Sequence, residues 1–309
     1  MRILFVLLML LGVSPALADE PVSVTMAGDC TLGEFKGQNP GNLFREVFAQ
    51  KGPHWFFGGV KRYFEGDDLT FVNLEGPLTS IPQKVVKKFP IKGDPRHVAA
   101  LTAGSVEVVN LSNNHIYDCG KEGFAETLRV LERAGIGYAG EGHVYEATVR
   151  GTKIAFFGYN GWTADKALLA RIRKDLASSD AHAKIVEFHW GVERTYTHNA
   201  TQAAIAHAAV DAGAAFVVGA HPHVVQDVEV WKGVPIVYSM GNFVFGANKN
   251  PADKDTMLVC ARFSQAGLVD WKIVPAKISS VPHMNDYRPT LVSSDAEKAR
   301  ILKKVGLGK

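Results

Sequence analysis

The sequence is short of cysteine, of net charge and of long apolar runs, and each shortage removes a class of protein. Three cysteines in 309 residues are no disulfide framework; an oxidising compartment would allow one bridge and leave an odd thiol. A formal charge of +3 is too small to suggest nucleic acid, and no run of basic residues interleaved with aromatics supplies that feature locally. Beyond the N-terminus no segment is apolar enough to cross a bilayer. There is no internal repeat and no low-complexity segment.

What is present is an ordinary globular composition, 47% hydrophobic and 21% charged, in a chain long enough for one large domain or two small ones. The first twenty residues, MRILFVLLMLLGVSPALADE, stand apart. One basic residue precedes an apolar stretch from Ile3 to Val13, and Ala16-Leu17-Ala18 closes it. That is the layout of a secretory signal cut after Ala18. The stretch is short for a membrane span, though an uncleaved anchor is the alternative reading. Asp19 rather than Cys follows the cut, which argues against a lipid anchor. The expected layout is a signal at 1–18, one domain at 19–285 and a tail at 286–309 with a short amphipathic helix from Ser293. The mature chain is expected to be soluble and exported, periplasmic or extracellular.

Short β-branched runs recur at Val22–Ala27, Leu69–Leu74, Val106–Leu111, Lys153–Tyr159, Lys184–Phe188 and Ala215–Gly219. Helical patterns lie between several of them. Lys121–Ala134 spaces Phe124, Leu128 and Leu131 as a helix and stops near Gly135; Ala200–Ala212 stops at Gly213. This alternation reads as an α/β fold with much parallel sheet. The last third differs: Val225–Trp231, Val234–Ser239, Met257–Phe263 and Leu268–Val274 follow closely, joined by turns, and read as antiparallel. Together they suggest two stacked sheets flanked by helices.

Chemistry-bearing residues follow the parallel-type strands one after another. Asp29 follows the first, and Asn73 and Glu75 close the second. The third leads into NLSNNHIYDCG with Asn113, Asn114, His115 and Asp118. His189 follows the strand at 184–188, and His221 and His223 flank Pro222 after the strand at 215–219. The carboxyl ends of parallel strands share one edge, where ligand sites form. Alone, each signal is weak, since Asp and Asn are common in turns. Their ordered recurrence predicts convergence of carboxylates, imidazoles and an amide. That donor set suits one or two divalent transition ions, manganese, zinc, iron or nickel. Two such ions can activate a water and clamp a developing oxyanion. His207 lies within a helix pattern and reads as structural.

The segments AGDCTLG, VNLEGPLT, NLSNNHIYDCG, FHWGVERT and GAHPHVVQDVEVWKGVPIVYSMGNFVFG resemble the CapA family of poly-γ-glutamate capsule synthesis proteins, over roughly Val22 to Val281. That family is similar in fold to calcineurin-like metallophosphoesterases, so the resemblance implies a two-sheet α-β-β-α sandwich and a dinuclear site. It implies Asp29 as a ligand of the first metal, Glu75 as the bridging carboxylate and His223 as the first metal's imidazole. For the second metal it implies Asn114, His189 and His221, with His115 as the proton donor to the leaving group. Thr31 stands where the superfamily commonly has a histidine. The second set is therefore fuller, and its ion is expected to be the tighter one. The resemblance points to an anionic small-molecule or polymer substrate, phosphoester or γ-glutamyl. It equally allows a non-catalytic accessory subunit that guides the polymer beside membrane capsule-synthase components. The polar loop Thr79–Arg96 is expected to border the entrance, with Lys88 and Lys92, and with Asn73 below, contacting substrate. Cys30 and Cys119 each follow a site loop and are expected near each other as free thiols, because a bridge demands specific geometry. Cys260 is expected in the core.

Overall fold

Nine of the ten residues of strand β1 (Val22–Thr31) are buried. A strand covered on both faces belongs in the middle of a sheet that is itself covered on both sides, and β1 occupies that place. The computed structural model describes residues 20–308; the signal reading of residues 1–18 lies outside them. One sheet runs β16 (Thr290–Leu291), β15 (Gly267–Lys277), β14 (Asp255–Ser264), β1, β3 (Leu69–Leu74), β5 (Val108–Asn110) and β6 (Gly137–Ala139), with β13 (Asn242–Phe245) also pairing β1. The other runs β11 (Val228–Trp231), β12 (Val234–Val237), β10 (Phe216–Ala220), β9 (Ala183–Trp190), β8 (Thr152–Gly161) and β7 (Tyr145–Val149). A small pair, β2 (Glu34–Phe35) and β4 (Ile91–Lys92), stands apart.

The two sheets face each other across one apolar layer. Met26, Phe71 and Val108 of the first sheet meet Phe156, Ile185 and Phe216 of the second, and the Phe71 and Phe156 rings lie 4.9 Å apart. Outside the first sheet, Val72 and Val109 pack on α1 (Phe44–Lys51), α2 (Lys61–Phe64), α3 (Val98–Ala103) and α4 (Gly120–Arg133). Outside the second, Val186 and Val217 pack on α5 (Lys166–Ser178) and α6 (Ala200–Asp211). Each fully buried large apolar side chain in these layers is worth roughly 1.5–3 kcal/mol. The architecture is the expected α-β-β-α sandwich.

Three features depart from the sequence reading. The last third is not wholly antiparallel, because β12 pairs β10 in parallel and β13 pairs β1 in parallel. Both are buried strands of four residues, too short for alternation to show. Helix α5 escapes the periodicity argument because basic residues dilute its apolar face. The segment after residue 285 is integral: β16 extends the first sheet, and α7 (Asp295–Lys304) leads to Val305 in the inter-sheet core. No helix among the described residues is long and apolar enough to cross a membrane.

Candidate metal centre at the strand ends

The backbone aims the candidate ligands before any side chain acts. The pairing of β1 with β3 shifts register between Ala27 and Asp29, a bulge that re-aims the following side chain. Gly28 permits it: a Cβ there would collide with the Gly241 carbonyl oxygen. Asp29 N donates to that same oxygen at 3.0 Å. Glu75 is held just past β3 by its N–H on Cys30 O, also 3.0 Å. At the exit of β10, His221 (φ 94°) and His223 (φ 57°) both adopt positive φ. Two such residues in three are costly and cluster at functional sites. His221 N donates to Asp29 Oδ2 at 3.2 Å, which helps fix the turn.

Glu75 is the hub. It is buried, and neither carboxylate oxygen has a hydrogen-bond partner among the described residues. Its Oε1 faces Nε2 of His115 at 3.8 Å, of His189 at 3.9 Å and of His223 at 4.0 Å. These gaps are too long for hydrogen bonds and near the roughly 3–4 Å between donors that share an ion with bonds of about 2.1 Å. Ligand atoms of Asp29, Glu75 and His223 all lie within 4.8 Å of one another. His223 Nδ1 sits 2.9 Å from Asn242 Oδ1 and 3.3 Å from Asp29 Oδ2, so Nδ1 carries a proton and Nε2 is the nitrogen turned toward Glu75.

His189 is held differently. The Asn73 amide donates to Asp29 Oδ1 at 2.7 Å and faces His189 Nδ1 at 3.3 Å, while His189 Nε2 donates to Asn114 Oδ1 at 2.8 Å. In this arrangement both ring nitrogens of His189 are engaged. His221 Nδ1 is buried without a partner. The sequence ranks the second donor set above the first; the geometry favours Asp29, Glu75 and His223, whose ligand atoms are already gathered.

The electrostatics fit a missing positive charge. Burial, with Asp29 adding to it, pushes the Glu75 carboxyl above its ordinary range. Burial would depress His223, but the Glu75 and Asp29 carboxylates lift it instead. Burial, then His223, push His221 down to about 4, and burial drives His189 well below its ordinary value. A buried carboxylate wants a cation; His189 and His221 resist becoming one, and His223, favoured in its charged form, would give up its Nε2 proton to an ion that took the place of that charge. Orphaned oxygens on Glu75, an orphaned nitrogen on His221 and a carboxylate–imidazole donor set together fit a divalent transition ion.

Beside this cluster lies a proton-handling pair. His115 Nδ1 is 2.8 Å from Asp118 Oδ2. The same oxygen accepts from Ile91 N at 2.6 Å, and Oδ1 meets Lys87 Nζ at 2.6 Å. Lys87 Nζ also donates to Asn114 O at 2.8 Å. Burial lowers His115, partly offset by Asp118.

The structure brings Asp29, Glu75, Asn114, His115, His189, His221 and His223 to one edge. The remaining candidates, Asn73, Lys88 and Lys92, have other partners. Asn73 is fully buried, and its oxygen accepts from Asn110 and Asn113, so it orients Asp29 and His189 rather than facing open space. Lys88 Nζ lies over the Phe89 ring and Lys92 Nζ donates to Ser80 O. Lys87 is the loop lysine that reaches the site. Sequence reasoning also passed over Asn242, Asp118 as the partner of His115, and Trp162. The rule of looking past each strand end leads to Trp162 when applied to β8; its ring meets His221 edge-on at 4.7 Å between centroids. Cys30, Cys119 and Cys260 are all free thiols.

Two facing sheets with outer helices, and carboxylates and imidazoles gathered at parallel strand ends, define a calcineurin-like metallophosphoesterase fold. Solved structures agree on the fold. A hypothetical protein from Thermus thermophilus aligns with a TM-score of 0.54 at 15% identity, over 83% of this chain and 99% of its own. A novel phosphatase from Mycoplasma pneumoniae aligns at 0.53 and 14%, over 82% and 93%. Residues 23–247 match the family described as bacterial capsule synthesis protein PGA_cap, and the chain belongs to that family. The capsule biosynthesis protein CapA of Bacillus anthracis is 29% identical over 93% of this chain and 73% of its own. The PGA biosynthesis protein CapA of Bacillus subtilis is 27% identical over 92% and 77%. A probable polyglutamine synthesis accessory protein of Mycobacterium tuberculosis is 29% identical over 57% and 55%.

Proposed function

We propose that this chain is an exported protein of capsule or poly-γ-glutamate metabolism that hydrolyses an anionic envelope substrate, a phosphoester or a γ-glutamyl bond, with a divalent metal. The observation that carries the reading is the unpartnered Glu75 carboxylate, ringed by three imidazoles, one of which, His115, has its far nitrogen tied to a carboxylate. Asp29, Glu75 and His223 would hold the first ion, with Asn114, His189 and His221 as donors for a second. Such an ion supplies Lewis acidity to a substrate oxygen and acidity to a water. The chain's own residues do the rest. Asp118 keeps a proton on Nδ1 of His115 and stabilises the imidazolium, so Nε2 can hand a proton to a leaving group on the Glu75 side. Asn73 holds Asp29 and His189 in register. Lys87 places a fixed cation beside His115 for an anionic substrate. Export with cleavage after Ala18 rests on the pattern at residues 1–18, and mass spectrometry showing an intact Met1 end on exported protein would reject the cleavage.

The test is turnover by the purified full chain, loaded in turn with manganese, zinc, iron or nickel, on p-nitrophenyl phosphate, bis(p-nitrophenyl) phosphate and γ-glutamyl peptides. Activity on one class, lost by about 10²–10⁴-fold in His115→Ala, supports the reading. No turnover in any metal form rejects it. The name of the mycobacterial relative favours a second reading, an accessory subunit that guides polymer without cleaving it; retention of poly-γ-glutamate without turnover would support that instead.

A further inference from the structure

Apolar exposure is concentrated at the edge that opens the metal centre. Val85, Val86 and Phe89 stand exposed on one loop, Val86 completely. Trp162, Val192 and Tyr196 are exposed on the loops after β8 and β9. The loop that bears the valines follows Glu75 and is also the chief basic feature of the chain. Between Thr79 and Arg96 it holds five basic residues and one acidic, Asp94; Lys84, Lys87 and Arg96 pair with Glu122, Asp118 and Asp94, which leaves Lys88 and Lys92 without a carboxylate partner among the described residues. Its base is fixed: Lys84 N donates to Asp118 O at 3.0 Å, Ile91 N donates to Asp118 Oδ2 at 2.6 Å, and Gln83 Nε2 donates to Pro90 O at 2.5 Å. The segment between is a short protrusion with valines at its tip and lysines on either side. Single exposed apolar residues are ordinary, but an apolar tip set among cations at the rim of a site marks an interaction surface.

We propose that this rim docks on an anionic lipid bilayer. Val85, Val86 and Phe89 enter the interfacial layer, and Lys88 meets lipid phosphates. Trp162 and Tyr196 lie at headgroup level, as such rings do. The mouth of the metal centre then faces the membrane surface. The apolar residues select a bilayer over a soluble polyanion. Lysines suit both, whereas valine and phenylalanine gain only by leaving water for an apolar phase. A single apolar or basic signal holds a protein weakly, and this loop combines the two. The inference depends neither on turnover nor on which side of a membrane the chain occupies.

The test reads the loop itself, so attachment through residues 1–18 does not mimic it. The full chain is prepared with Cys260→Ala and Val86→Cys, and the new thiol is labelled with the environment-sensitive fluorophore NBD; Cys30 and Cys119 are buried. Phosphatidylcholine vesicles containing phosphatidylglycerol should shift NBD emission to the blue and intensify it. Phosphatidylcholine alone should not. A control probe through Val269→Cys, on the hairpin at the opposite end of the first sheet, should stay water-like. Lys88→Gln should cost about fivefold in partitioning, and high salt should weaken binding further. A probe at position 86 that stays water-like while the protein sediments with vesicles overturns the proposal. So does a blue shift with poly-γ-glutamate but none with vesicles, which would make the loop a polymer contact.

Discussion

Nδ1 of His223 lies 2.9 Å from Oδ1 of Asn242. The other end of the same amide donates to the His223 carbonyl oxygen at 3.2 Å. One asparagine therefore grips both the ring and the backbone of a histidine held at positive φ. The grip fixes the tautomer and turns Nε2 toward Glu75, and such outer partners set ligand basicity and orientation.

Asn242→Ala should therefore weaken divalent-ion affinity by about 10–100-fold while leaving the fold intact. Calorimetric titration of manganese or zinc into wild type and variant, with circular dichroism as the control, measures it. Equal affinities would remove Asn242 from the site.

Asp118→Asn tests the proton-handling pair. Burial depresses His115, and the Asp118 carboxylate returns part of that loss. Without the charge the His115 titration midpoint should fall further, as read by NMR of the imidazole carbons. An unchanged midpoint would show that the 2.8 Å contact does not govern the proton.

The C-terminal helix is fastened by Asp255, which is buried and accepts from Arg300, Lys277 and Lys304. Burial alone would raise its carboxyl, but the three cations hold it far below the usual range. A depressed carboxylate stabilises fully above its unfolded value of about 3.9, and that stability is lost as pH falls toward the folded value. Arg300 is half-exposed, so Asp255→Asn should cost up to about 3 kcal/mol, below a fully buried pair. Urea denaturation at pH 7 and pH 3 should show the gap between variant and wild type closing in acid.

Glu187 is the converse case. It is fully buried in β9 with both oxygens unpartnered among the described residues, and burial, then Asp29, raise its carboxyl well above the ordinary range. The native state keeps a proton that the unfolded chain releases above about pH 4.3. Wild-type stability from this group is therefore complete below that pH and is lost as pH rises. Glu187→Met should stabilise by about 1–3 kcal/mol, with an advantage that widens from pH 5 to pH 8 in thermal melts. A constant difference would contradict the assignment.

The sandwich is legible in the sequence because its central strands are buried on both faces and stand out as β-branched runs. Asp29, Glu75, His115, His189, His221 and His223 are legible because each follows such a run, and parallel strands present their ends together. What escapes is set by contact across the chain. Asn242 begins a strand of four buried residues with no alternation to mark it. Asp118 becomes the partner of His115 only through a turn. Lys87, rather than Lys88 or Lys92, reaches the site because loop residues 84 and 91 are hydrogen-bonded to Asp118. Neighbouring lysines of one loop are indistinguishable until that anchoring is known.

The central claim is that Glu75 anchors a divalent metal ion. Elemental analysis of the full chain, purified after loading with manganese, zinc, iron or nickel and then desalted, tests it directly alongside Glu75→Gln of equal circular dichroism. The account predicts at least one retained ion per wild-type chain and none above background in the variant. A wild type that retains no ion, or a variant that keeps the full complement, would contradict it.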